Sequence, residues 1–491
     1  MTAGQAAHTL SASAMESLCH SSIGELARKL RAKEVSATEV VEAYLAQIPK
    51  LQPLLNAYVH VDAEEAQRQA HEIESAILRG ENAGVLMGIP ISVKSCIDVA
   101  GWPCAAGSLL RKDETPSRTA PMVQRLLDAG AIPLGNTNTP EYLMAYETNN
   151  RLFGKTSNPW NPEYSAGGSS GGEAAAVAAG LSAGGIGSDG GGSIRVPAHF
   201  CGICGLKPTP GRIPGTGHFP AGNSSFGWLG VCGPMARTVS DLRILFGAMA
   251  GQDPFDALSI AISLRQISRV STNGMRVGIV ESDSFSTVTP ETEAAVHRAA
   301  RLLSEMGFVV EPFRLQNAAR LLELWWFFFG NVIGELLRAQ VSGKESLLSP
   351  MFLEYLEVSR REPQIAMREF VEKCAERDRE RGVVLEAMES VRLLLSPVSS
   401  GPAFRHGEGH WQPGGGYREN MQHSQWLNLA GLPGITVPMG KSKEGLPLGV
   451  QLIGRPCEEE LLLAVAERLE EARGPWEMPL WGPGAAETHG C

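Results

Sequence analysis

The chain has 491 residues, 43% of them apolar and 20% charged, an ordinary globular composition with material for a large core. A net charge of −10 argues against a protein that works through an extended basic face, so no nucleic-acid partner is expected. Nine cysteines are too sparse, and odd in number, for a secreted disulfide framework, and a reduced, cytoplasmic setting is the expectation.

Taken in chain order, residues 1–20 read as a flexible N-terminal segment without the basic and apolar regions of a secretory signal. Residues 21–80 read as helices. Ser36-Ala37-Thr38-Glu39 is a capping box that opens an amphipathic stretch carrying Val40, Val41, Tyr44, Leu45 and Ile48. Residues 85–245 are rich in Gly, Ser and Pro, with short apolar strands such as Gly88–Val93, and they contain a long glycine-bearing loop at Gly211–Gly230. Residues 275–475 alternate strand and helix. Met275–Val280 is a strand; Thr289 caps a helix that begins with Pro290; Gly307 ends it before a strand at Phe308–Val310. Further strands are predicted at Leu393–Leu395, Ile435–Val437 and Val450–Ile453, with a last helix at Glu458–Ala472 and a tail at 476–491. Strands alternating with helices imply an α/β layered fold, and no repeat or linker divides residues 21–475.

The most apolar run, Leu321 to Leu337, holds Glu323, Asn331 and Glu335, so no membrane span is expected. Within it, Trp325-Trp326-Phe327-Phe328-Phe329 would face all sides of a helix. Core packing and a wall of an apolar substrate channel both account for that run.

Chemistry-bearing residues concentrate between Gly167 and Arg195. Gly167-Gly-Ser-Ser-Gly-Gly172 precedes an Ala-rich segment, and Gly187-Ser-Asp-Gly-Gly-Gly-Ser-Ile-Arg195 follows it. So many small residues allow close backbone approach or unusual dihedrals that present N–H groups to a ligand. Three familiar spacings compete with that reading. Gly185, Gly187 and Gly190 spell GxGxxG, but the neighbourhood of Thr209–Arg212 offers no acid for a ribose. Ser169 fits GxSxG, but the preceding Asn158–Glu163 reads as a loop rather than a strand. Cys201 and Cys204 form CxxC without a second ligand pair, so no metal is expected.

These blocks resemble the amidase signature family. The resemblance extends to Gly88–Lys94 upstream, Phe200–Pro208, Gly233–Asp241, Asn428–Gly434 and Gly445–Pro456, in order, over roughly residues 20–475. It implies the family's fold, a central mixed β-sheet covered by helices on both faces, and a Ser–cis-Ser–Lys triad. Lys94 lies 99 residues before Ser193, and Ser169 lies 24 before it, which meets the family's spacing. The resemblance assigns Ser193 as nucleophile, Ser169 as proton relay after a cis peptide with Gly168, and Lys94 as neutral base, with no cofactor. A serine hydroxyl needs such a base, and lysine serves only when burial depresses its pKa. Gly190, Gly191, Gly192 and the Ser193 backbone are the expected oxyanion donors, with Ser170 and Leu143 at the substrate site and Asp189 and Arg195 bracing the loop.

Ser95-Cys96 after Lys94, Cys104–Ala106 and Gly190 depart from the common pattern without removing a catalytic group. The family includes the glutamine-hydrolysing member of the tRNA-dependent amidotransferases, in which an acid holds glutamine upstream of the Asn-Leu-Ala-Gly block; by ungapped count Met421 stands there. The expected substrate is therefore a small apolar or aryl amide, with esters and carbamates (urethanes) as extensions. A homodimer is one assembly left open, and the alternative function is the glutamine-hydrolysing component of a tRNA-dependent amidotransferase.

Overall fold

The computed structural model describes residues 11–81, 84–221, 227, 229–265, 273–280, 284–475 and 477–479. Residues 1–10 of the expected N-terminal segment, most of the 476–491 tail and part of the Gly211–Gly230 loop lie outside the described residues.

The strands are β1 (Tyr58–Val61), β2 (Ile89–Lys94), β3 (Ala131–Thr137), β4 (Asn149–Asn150), β5 (Gly154–Lys155), β6 (Gly184–Asp189), β7 (Cys204–Lys207), β8 (Val231–Ala236), β9 (Arg276–Val280), β10 (Val309–Phe313), β11 (Leu393–Pro397), β12 (Gly434–Lys441) and β13 (Pro447–Ile453). Among the described residues eleven of them form one mixed sheet in the order β1-β3-β2-β6-β8-β7-β12-β13-β11-β9-β10, while β4 and β5 make a separate hairpin. β2 runs parallel to both β3 and β6, whereas β6 is antiparallel to β8. Every residue of β2, β3 and β6 is buried, as expected for central strands covered on both faces.

Helices flank the sheet. Ala37–Leu55 opens with the predicted capping box, Ser36 accepting from the Glu39 amide at 3.1 Å and Glu39 from the Ser36 amide at 2.8 Å. Gly171–Ala178 packs against β2, β6 and β8, and Pro290–Glu305 and Glu459–Arg473 cover β12 and β13. The predicted strand at Phe308–Val310 is displaced to Val309–Phe313, and β1 interrupts the stretch read as helical. β6 and its Gly-Gly-Ile-Gly-Ser-Asp sequence carry no apolar periodicity; the strand exists because its glycines let neighbours press in. A Cβ on Gly185 would sit 1.9 Å from the Glu173 carboxylate.

Candidate active site

Lys94 is the last residue of β2, and β6 beside it supplies Ser188 at the same end of the sheet. The loop before the Gly171–Ala178 helix supplies Ser169 and Ser170. These elements bring three hydroxyls onto one amine: Lys94 Nζ lies 2.7 Å from Ser169 Oγ, 2.9 Å from Ser170 Oγ and 3.0 Å from Ser188 Oγ. Lys94, Ser169, Ser170 and Ser188 are all buried. Burial holds the Lys94 ammonium below its ordinary pKa, and its acidic neighbours offset only part of that effect. A charged amine offers three N–H donors; a neutral one offers two and a lone pair. Three hydroxyls, each both donor and acceptor, satisfy either state, so a proton can arrive and leave without rearrangement of the cage.

The Gly168–Ser169 peptide is cis, as the resemblance implies. The Ser169 carbonyl accepts from Thr139 Oγ1 at 2.8 Å, which anchors the turn from the far side. Ser193 follows the triglycine turn after β6 and is half-buried. Its carbonyl accepts from the Ser170 amide at 3.2 Å, so the segment carrying Ser193 is stitched to the one carrying Ser169.

The turn is braced by the buried Asp189–Arg195 pair. Asp189 accepts from Arg195 Nε and Nη2 at 3.0 Å each and from Asn428 Nδ2 at 3.0 Å. Arg195 reaches on to Gln451 Oε1 and the Ser424 carbonyl, both at 3.0 Å. Burial alone would push the Asp189 carboxyl up, but the Arg195 guanidinium and the surrounding donors hold it well below the usual carboxylate range.

The brace corrects one expectation. The Gly192 amide donates to Asp189 Oδ1 at 2.7 Å, and the amides of Ile194 and Arg195 donate to Oδ2. An N–H aimed at a carboxylate is not available to an oxyanion. Gly192 is therefore a bracing residue, and the oxyanion candidates narrow to the amides of Gly190, Gly191 and Ser193.

Leu143 lies in the Glu141–Leu143 turn, where Tyr142 and Leu143 both have positive φ (52° and 68°), an unusual backbone for such side chains. Cys201 and Cys204 are buried thiols, the first donating to the Ala166 carbonyl and the second to Glu470. Among the described residues no three His, Cys, Asp or Glu side chains converge as a metal site. Gly185 and Gly187 lie inside β6, which rules out the phosphate-binding turn that their spacing imitates. The aromatic run is core, with Trp325 and Phe327–Phe329 buried, and Trp325 Nε1 donates to the Gly190 carbonyl at 3.0 Å. Sequence reasoning missed Ser188 and Tyr146 as neighbours of the site, and it offered Trp325 as a channel wall rather than as a donor to a loop carbonyl; the position of Ser188 directly before Asp189 was its only signal.

A family model described as Amidase matches residues 39–463. The chain belongs to the amidase signature family. It is 34% identical to the A component of a glutamyl-tRNA(Gln) amidotransferase from Thermosynechococcus vestitus, over 92% of this chain and 98% of that protein. Among solved structures it resembles 6-aminohexanoate cyclic dimer hydrolase (TM-score 0.84, 28% identity, 94% of this chain and 99% of that one). It also resembles a bacterial aryl acylamidase (TM-score 0.82, 28% identity, 93% and 96%). This amidase-family protein is thus a hydrolase of carbon–nitrogen bonds.

Proposed function

We propose that the chain cleaves amides through an acyl-enzyme on Ser193, with Ser169 as relay and Lys94 as base. The observation that carries this reading is the 2.7 Å contact between the buried Lys94 amine and Ser169 Oγ. The Ser193 hydroxyl attacks the substrate carbonyl while its proton passes to Ser169 and the Ser169 proton passes to the lone pair of Lys94. The Gly190–Ser193 amides that Asp189 leaves free receive the developing oxyanion. Collapse expels the amine, which takes the proton back along the same path. Water then repeats the sequence in reverse on the acyl-enzyme and releases the acid.

For the substrate, two arguments pull in different directions. The curated relatives, glutamyl-tRNA(Gln) amidotransferase A components at 31–34% identity over 92–93% of the chain, favour a glutamine-hydrolysing protein that works with partner subunits and tRNA. That is the broader body of similarity. Against it, buried Met421 begins the Gln422–Ala430 helix at the position where the resemblance puts the glutamine-holding acid. A small apolar or aryl amide fits that residue better, and esters and carbamates follow the same acyl or carbamoyl path. Leu143 is the proposed substrate-side residue outside the turn; Ser170, expected there too, instead spends its buried hydroxyl on Lys94 and on the Ser188 backbone. Hydrolysis of an aryl amide by the isolated chain, abolished by Ser193→Ala, supports the stand-alone reading. Glutamine hydrolysis only in the presence of partner subunits supports the other.

A further inference from the structure

Three consecutive glycines form a poor oxyanion site unless something fixes them, because glycine takes either sign of φ and its peptide planes flip readily. Two aromatic donors grip this turn from one side. Trp325 Nε1 donates to the Gly190 carbonyl at 3.0 Å, and Tyr146 Oη donates to the Gly191 carbonyl at 2.7 Å. Both lie where a side chain on Gly191 would be: a Cβ there would meet Trp325 Cζ2 at 2.5 Å and Tyr146 Oη at 2.9 Å.

Each donor is itself held. The Trp325 ring stacks on Phe329 with centroids 4.6 Å apart and planes 13° from parallel. Gln425 Nε2, which also donates to the Tyr417 carbonyl at 2.9 Å, approaches Tyr146 Oη at 3.3 Å, so the Tyr146 hydroxyl accepts there and spends its own proton on Gly191. In a trans peptide the C=O and N–H point opposite ways. Fixing the Gly190 carbonyl on Trp325 therefore turns the Gly191 N–H to the other side of the loop. Fixing the Gly191 carbonyl on Tyr146 likewise turns the Gly192 N–H away, consistent with its bond to Asp189 at 2.7 Å.

We infer that Trp325 and Tyr146 are positioning residues that hold the Gly190-Gly191-Gly192 turn with the Gly191 amide presented to the reaction's oxyanion. The inference rests on the Ser193 reading of the site. It makes the aromatic run part of the catalytic apparatus through backbone carbonyls rather than through substrate contact.

The test uses the full chain with Tyr146→Phe and Trp325→Phe, p-nitroacetanilide as substrate and phenylboronic acid as a probe that becomes an anionic tetrahedral adduct on a serine oxygen. Each variant is expected to lower kcat by about 10- to 100-fold with KM within about threefold, and to weaken boronate binding in parallel. The boronate arm needs no turnover, and Tyr146→Phe, which removes one oxygen, decides the matter if Trp325→Phe does not fold. A folded Tyr146→Phe protein with kcat and boronate affinity within about twofold of the parent overturns the clamp. Turnover surviving in Ser193→Ala is a different result: it overturns the reading of the site on which the clamp rests.

Discussion

Lys94 Nζ sits 2.7 Å from Ser169 Oγ, and neither side chain reaches solvent. A base placed this way works only when it is uncharged. Burial already lowers the Lys94 pKa, so kcat/KM is expected to rise with pH through that depressed value and then level off. Lys94→Ala should cost about 10²- to 10⁴-fold in kcat, the range of a lost general base. A pH–rate profile measures both; an unchanged acidic limb in a variant lacking the amine contradicts the assignment.

Ser188 supplies the third hydroxyl, at 3.0 Å from Lys94. Hydrogen bonds to a charged amine are stronger than to a neutral one, so this contact favours the charged form. Ser188→Ala is therefore expected to move the acidic limb to lower pH and to reduce kcat by roughly 10-fold through looser positioning. A shift to higher pH runs against this role for the hydroxyl.

Asp189 and Arg195 are both fully buried. Replacing Asp189 with Asn leaves the guanidinium charge unpaired and weakens the hold on the Gly192 amide. Losing one partner of a buried pair costs about 3–5 kcal/mol. Calorimetry should show a markedly lower Tm for Asp189→Asn, and turnover should be lost even below that Tm.

Glu173 accepts from Thr137 Oγ1 at 2.8 Å and from Ser92 at 2.5 Å beneath the site. Burial raises its carboxyl to about 7, while those two hydroxyls and Lys94 pull it partly back. A folded-state pKa above the unfolded one stabilises the fold fully below about 4.5, and that contribution fades as pH rises through about 7. Glu173→Gln has no such dependence. Between about pH 5 and pH 8 the stability difference should move in favour of Gln by roughly 3 kcal/mol, measured by urea unfolding. A pH-independent difference contradicts the assignment.

Much of the candidate site was legible because its residues stand inside short, ordered blocks: Lys94 at the end of an apolar strand and Ser169 among glycines meet as expected, and Ser193, after three more glycines, joins them through its backbone bond to Ser170. The capping box at Ser36 and the Pro290 helix start were legible because they are local signals. What the chain hid was non-local. Trp325 donates to a carbonyl 135 positions away, and nothing in an aromatic run says which backbone it will meet. Gly192 was misread as an oxyanion donor because sequence shows that an amide exists but not that Asp189 takes it. β6 was missed because a strand made largely of glycine has no apolar alternation to announce it.

The most direct measurement is peptide mapping by mass spectrometry after labelling with a fluorophosphonate. A nucleophilic Ser193 served by Lys94 predicts a single adduct on Ser193, absent in Ser193→Ala and slowed in Lys94→Ala. An adduct on Ser169, or undiminished labelling of Ser193→Ala, would contradict it.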